Sequence, residues 1–279
     1  MVKKLFQNPL VKIALLFALF FTVPIALSMV VGYQTIGGYL SPLLLLVLTW
    51  LLYRKEGKNL SELGINFKRR NIFFLPLGIV AGILFFCVLL YLQMLRNGIQ
   101  IHINKNADYS LIFSSVFVLL QGVLNEELIF RGYCLKETMN RIGFMKANLI
   151  FGFFFIVWHW IAFNAWGNYL LMLSLVSTGF GHFLFAAALV KSETLYFPVG
   201  IHLGNNWAQR YLFSASMTGI NAKPSHDILF ILTSSGQHFS ELHNATNYGL
   251  TIGSFIIFTW IILKWPTRGP QPLKKKSIV

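Results

Sequence analysis

Residues 111–131 read LIFSSVFVLLQGVLNEELIFR. A long apolar run ends in two adjacent carboxylates, Glu126 and Glu127, followed by Arg131. Ionisable groups at bilayer depth cost at least a few kcal/mol each, so their default reading is a functional site. On a helix Glu127 and Arg131 are i,i+4 neighbours on one face and can neutralise each other. Glu126 lies about 100° round from Glu127. It is the carboxylate left free for chemistry.

The rest of the chain fits a membrane setting for this stretch. Its 279 residues are 56% hydrophobic and only 11% charged, where a soluble domain carries about 25%. Apolar runs at Ile13–Tyr33, Leu40–Tyr53, Ile72–Leu95, Leu111 to about Lys136, Leu149–Phe163, Leu170–Val190, Leu195 to about Phe213 and Leu250–Leu263 read as spans. The first is too long for a signal-peptide core and lacks a small-residue cleavage site, so it is expected to be retained. The expected fold is all-α: a polytopic transmembrane helix bundle of about eight spans, forming a single membrane domain over 1–279. The short apolar patch Ile228 to Leu232 in the polar stretch after the seventh run is expected to dip into the interface.

The net charge of +14 does not point to nucleic acid. The basic residues cluster in the gaps between apolar runs, and no groove-reading motif occurs. With the amino terminus inside, the inside segments hold seventeen Lys and Arg and the outside segments four. This bias predicts both termini cytoplasmic and a multi-pass protein of the plasma membrane, with membrane lipids as its surroundings. Cys87 and Cys134 fall in or beside apolar runs and read as free, buried thiols.

Three runs carry the polar groups. The fourth offers Glu126, Glu127 and Arg131. The fifth offers His159, with Phe155 one turn before it. The seventh offers His202 and Asn206, again one turn apart. At 1.5 Å per residue from the nearest inside lysine, Glu126 is about 15 Å deep, His159 about 20 Å, His202 about 16 Å and Asn206 about 22 Å. That shared depth predicts one polar site. His182, on the sixth run, has no polar neighbour at helical spacing and reads as packing. Asn125 and Asn205 are adjacent polar positions with weaker claims.

A carboxylate, two imidazoles and an amide suffice to hydrolyse an amide without a covalent intermediate. Glu126 in apolar surroundings suits a general base or acid near neutrality. His159 can hold a water against it, and His202 and Asn206 can donate to a developing oxyanion. No serine or cysteine sits in a clear nucleophile context. Glu126, His159 and His202 from separate helices are also a possible zinc set, although the glutamate-water mechanism needs no metal and is preferred. Buried Glu and His also serve ion-coupled transporters, where the lack of an internal repeat weighs against that class. A non-catalytic immunity protein that keeps the motifs as a core is a further alternative.

In this order, Glu126-Glu127-x-x-x-Arg131, Phe155-x-x-x-His159 and His202-x-x-x-Asn206 resemble the CPBP family. It holds the type II CAAX prenyl proteases and the bacteriocin-processing, Abi-like proteins. The resemblance covers about 111–210, which would be the protease core. It implies an intramembrane endopeptidase acting on a peptide or lipidated-protein substrate near the cytoplasmic leaflet. By the same resemblance Glu126 and His159 activate water, His202 and Asn206 form the oxyanion hole, and Glu127, Arg131 and Phe155 support the site.

Overall fold

Two Gly-x-x-x-Gly pairs set the architecture. In the computed structural model, which describes residues 8–31, 37–216, 219–220, 225–233 and 241–266, helix α3 (Arg69–Asn97) packs along helix α9 (Tyr196–Trp207). Gly78 and Gly82 of α3 face Gly200 and Gly204 of α9. A methyl group added at Gly82 would sit 2.1 Å from the Ile201 carbonyl oxygen, and one at Gly204 would sit 2.1 Å from that of Ile79. Small residues at such a seam let two backbones approach closely, which is how helices gain packing where lipid is as apolar as Leu. Gly78 lies near Gly200 and Gly82 near Ile201 and Asn205, so the two helices run parallel.

The other helices are α1 (Pro9–Val31), α2 (Gly37–Lys55), α4 (Tyr109–Arg131), α5 (Tyr133–Ile142), α6 (Phe144–Ala162), α7 (Tyr169–Leu175), α8 (Ser177–Ser192) and α10 (Glu241–Lys264). Asp108 caps α4 through hydrogen bonds from the Ser110 and Leu111 amides, and Asn168 caps α7 through the Leu171 amide. The expected fourth span breaks at Gly132, where a Cβ would meet the Leu128 carbonyl oxygen at 2.2 Å. The chain turns there into the short helix α5. Phe85 of α3 packs on Phe255 and Phe258 of α10, each at 4.7 Å between ring centroids.

The all-α expectation holds, with one addition. Among the described residues six helical stretches are long and apolar enough to cross a membrane: Pro9–Leu27, Arg69–Asn97, Tyr109–Ile142, Phe144–Ala162, Tyr169–Ser192 and Thr246–Lys264. The protein is an integral membrane protein. The expected second and seventh spans lie on α2 and α9 and are not among the six. Helix α9 has 12 residues, about 18 Å of rise, and continues into a π turn at Ala208–Leu212. Residues 1–7 and 267–279, which carry part of the charge bias on which the terminal sidedness was read, lie outside the described residues.

The addition is short β structure, two two-stranded sheets among the described residues. In the longer one, strand β1 (Gln100–Ile103) pairs antiparallel with strand β2 (Phe230–Thr233), with Ile101 opposite Leu232 and Ile103 opposite Phe230. The patch Ile228–Leu232 supplies residues 230–232 of strand β2. Its backbone is taken up by β1, by Asn104, whose Nδ2 donates to the Ile228 carbonyl at 2.8 Å, and by Ser214 Oγ, which accepts from the Leu232 amide at 2.8 Å. Leu232 is buried with Phe86, Leu90, Ile99 and Ala208. The β-branched and aromatic residues of Phe-Ile-Leu-Thr suit a half-buried pleated surface.

On the side of the basic loop, residues 60–64 dock against the turn between α8 and α9. Leu63 is buried, the Leu195 amide donates to its carbonyl at 2.8 Å, and Thr194 Oγ1 donates to the Gly64 carbonyl at 3.1 Å. Lys58 reaches Glu137 of α5 at 3.3 Å. The basic loop is thus partly docked rather than wholly solvated, and it fixes where α9 starts.

Crowding the glycine seam should unfold this arrangement. Gly204→Ala is expected to cost about 2 kcal/mol or more, because the obstacle is backbone that cannot rotate away. Gly253→Ala, where an added Cβ meets nothing within 4 Å, should be neutral or stabilising by up to about 1 kcal/mol. Thermal unfolding of the purified protein in detergent distinguishes the two.

Candidate active site

The last turn of α4 carries Glu126, Glu127 and Arg131 into the interior. Arg131 Nη1 donates to Glu127 Oε1 at 3.2 Å, and both side chains have no exposed surface. Such a pair is held together by its context, since either charge alone would be strongly unfavourable there. The guanidinium carbon lies 4.3 Å from the ring centroid of Phe155 and 4.9 Å from that of Phe185. Desolvated cation–π contacts of this kind contribute about 1–2 kcal/mol each. Phe155 therefore does more than fill space: it cradles the buried cation.

His202 arrives on α9. Its Nδ1 donates to Glu127 Oε1 at 2.8 Å, and its Nε2 lies 3.7 Å from Glu126 Oε2. One imidazole thus faces both adjacent carboxylates. Because the carboxylate paired with Arg131 accepts but does not donate, the Nδ1 of His202 carries a hydrogen. Its Nε2 is then a bare lone pair in the neutral ring and a donor only in the imidazolium. The sequence reading treated His202 simply as a donor, and this bond to Glu127 adds that condition.

His159 sits on α6, buried, with Nδ1 2.7 Å from the Phe155 carbonyl. A carbonyl only accepts, so Nδ1–H donates and Nε2 is left free. His159 lies within electrostatic reach of both Glu126 and His202. Asn206 is one turn beyond His202 and partly exposed. Its Oδ1 accepts a long hydrogen bond from Asn205 Nδ2 at 3.4 Å, which leaves its own Nδ2 as the unused donor.

Neighbouring contacts hold these elements in register. Trp207 Nε1, at the end of α9, is within hydrogen-bond distance of the Ile112 carbonyl at 3.0 Å and of Ser115 Oγ at 3.1 Å. With His202 on Glu127, this makes α4 and α9 antiparallel. Ser41 Oγ donates to Asn125 Oδ1 at 2.7 Å, tying α2 to the residue before Glu126. The glycine seam supplies the rest, because it presses α9 against α3 and fixes its height.

The expected residues thus divide. Glu126, Glu127, Arg131 and His202 meet directly, and Phe155 joins them through Arg131. His159 approaches electrostatically, and Asn206 extends the His202 face by one turn. Glu126 remains 23% exposed while Glu127 is sealed. His182 is fully buried beside Phe151 and Phe155, with no hydrogen bond to either ring nitrogen among the described residues. Phe185 escaped the sequence reading. In a chain with 27 phenylalanines one more on an apolar helix carries no signal.

The zinc alternative calls for converging donors. Both histidines present Nε2 with Nδ1 engaged, the state a metal ligand adopts. However, no three His, Cys, Asp or Glu among the described residues are grouped so as to hold an ion.

Residues 108–208 match the family model described as type II CAAX prenyl endopeptidase Rce1-like. The match runs from the cap of α4 to just past α9 and contains every residue of the cluster. Neither the curated proteins nor the solved structures compared with the chain match it.

Removing one partner of the buried pair should be far worse than removing both. Arg131→Met alone is expected to cost about 3–5 kcal/mol, because it strands Glu127. The double variant Glu127→Gln, Arg131→Met should recover most of that loss. Unfolding midpoints of the two variants in detergent check this.

Proposed function

We propose that the chain, whose residues 108–208 match the model of the Rce1-like type II CAAX prenyl endopeptidase family, hydrolyses a peptide bond by direct attack of water activated by Glu126. It is a CAAX-protease-like membrane peptidase, and a peptide or protein is its substrate. The finer reading rests above all on one observation. His202 stands between two adjacent carboxylates, one sealed and paired with Arg131, the other open.

The division of labour follows from that asymmetry. Glu127, fully buried, orients His202 through Nδ1. Glu126, with part of its surface open, is the carboxylate that water can reach. In the proposed reaction Glu126 takes a proton from water while the water oxygen attacks the scissile carbonyl carbon. His159 presents the lone pair of Nε2 to the same water and helps to align it. The oxyanion that forms receives the Nε2–H of protonated His202 and the Nδ2–H of Asn206. Preorganised donors aimed at a developing oxyanion contribute about 3–4 kcal/mol each. Collapse breaks the C–N bond, and Glu126 returns its proton to the leaving nitrogen. The products are a carboxylic acid and an amine, which exchange a proton to become carboxylate and ammonium.

We place this chemistry in the inner leaflet of the plasma membrane, with the site open to the cytoplasm and the substrate a prenylated carboxyl-terminal peptide. Support for the sidedness comes from the clustering of basic residues in the loops after the second and fourth apolar runs. Support for the substrate comes from the description of the matched family.

The test uses purified protein in lipid nanodiscs with a prenylated CAAX peptide and its unprenylated twin. Cleavage of the prenylated peptide should fall by about 10²–10⁴-fold in Glu126→Gln, with the unfolding midpoint retained. Excess chelator should leave turnover unchanged. Turnover equal to wild type in Glu126→Gln would remove Glu126 from the mechanism, and reversible loss with chelator would restore the metal reading.

A further inference from the structure

We propose that Phe185, on α8, is a positioning residue that fixes the plane of the His202 imidazole and couples it to Arg131. This inference rests on the role assigned above to His202. The Phe185 ring is stacked on the imidazole, with centroids 4.7 Å apart and planes 15° from parallel. The Arg131 guanidinium carbon stands 4.9 Å from the centroid of the same ring. Phe185 is buried, at 5% exposed.

The argument starts from what the hydrogen bonds leave free. His202 is held at Nδ1 by a single bond to Glu127. One bond fixes the position of Nδ1 and leaves the ring able to rock about it. A rocking ring moves Nε2 away from Glu126 and from wherever an oxyanion would form. Catalytic groups need to stay within about 0.5 Å and 10–20° of their working geometry. A near-parallel aromatic wall supplies the missing constraint, because tilting the imidazole would drive its edge into the phenyl face.

The ring also has an electrostatic role. The face of a phenyl group is negative and attracts cations. The Phe185 ring meets both the His202 imidazole and the Arg131 guanidinium. Arg131 already sits against Phe155, so two aromatic rings shield the guanidinium. Without that shielding, Arg131 would compete with His202 for Glu127 in a less neutralised field. Phe185 thus serves the two groups that share Glu127 Oε1, one by stacking and one by cation–π attraction.

A leucine at this position separates positioning from packing. Phe185→Leu keeps an apolar side chain of comparable bulk but has no ring, whereas Phe185→Tyr keeps the ring. On the prenylated peptide, Phe185→Leu is expected to lower kcat about tenfold with KM within about twofold, since the loss arises in the transition state. Phe185→Tyr should restore kcat to within about threefold of wild type. Equal kcat in all three proteins would overturn the proposal, as would equal losses in Leu and Tyr variants of equal stability.

A second readout does not depend on turnover. In histidine-labelled protein, the ring-nitrogen signals of His202 are assigned by their disappearance in His202→Gln. The Nδ1–H of His202 should be protected from exchange in wild type and in Phe185→Tyr, and exposed in Phe185→Leu. Protection unchanged in Phe185→Leu overturns the proposal even if no peptide is cleaved. A wild type that cleaves nothing but follows the expected exchange pattern would instead count against the protease reading and leave Phe185 as the keeper of the ring.

Discussion

Glu127 Oε1 is held by two donors at once, Arg131 Nη1 at 3.2 Å and His202 Nδ1 at 2.8 Å. The carboxylate has no exposed surface, so neither donor can be replaced by solvent. Removing a charge from water costs several kcal/mol, and this site meets that cost by sharing. Arg131 neutralises the charge and His202 adds a second donor on Oε1, while Glu127 Oε2 and Arg131 Nε and Nη2 are buried without a hydrogen-bond partner among the described residues. The arrangement links α4 to α9 by a bond whose loss strands a charge, so the height of α9 relative to Glu126 is tightly determined.

That bond could not form if α9 were kept at an ordinary helix–helix distance. Gly78, Gly82, Gly200 and Gly204 remove the side chains from the α3–α9 seam, and the backbones come into contact. Trp207 then secures the far end of α9 to α4. The near end is secured by the docked loop at Leu63 and Gly64. Three different contacts act at three heights on one short helix, and His202 lies between them.

Much of this is written in the primary structure, though not evenly. Intramembrane Glu126, Glu127, Arg131, His159 and His202 stand out because any ionisable group in an apolar run is costly. A simple rise per residue put them at one depth. The antiparallel sense of α4 and α9 follows from the same reasoning. What was not legible is of two kinds. Apolar packing is degenerate: Phe185 looks like any other phenylalanine, and only three-dimensional proximity reveals its contact with His202. The paired Gly-x-x-x-Gly motifs were in plain view, but a glycine reads equally as a turn, a bend or a seam until its partner is known. The strand at Phe230–Thr233 was missed for a similar reason. Its hydrogen-bonding partner lies more than a hundred residues away, and an isolated apolar patch does not announce what will cover it.

Adjacent glutamates raise a question that the geometry answers. Two neighbouring carboxylates on a helix point about 100° apart, so they cannot face the same surroundings. Here one points into the seam with α9 and is sealed, and the other points to a partly open space. In the proposed reaction a single glutamate would have to serve both as the anchor of His202 and as the proton acceptor. An anchor must keep its charge and its bond throughout the reaction, whereas an acceptor must change its protonation within it. The two demands conflict in one side chain. Placing them on consecutive residues resolves the conflict with no extra element, because the helix itself supplies the angle between them. His202 faces both, held through Nδ1 on Glu127 at 2.8 Å and with Nε2 at 3.7 Å from Glu126.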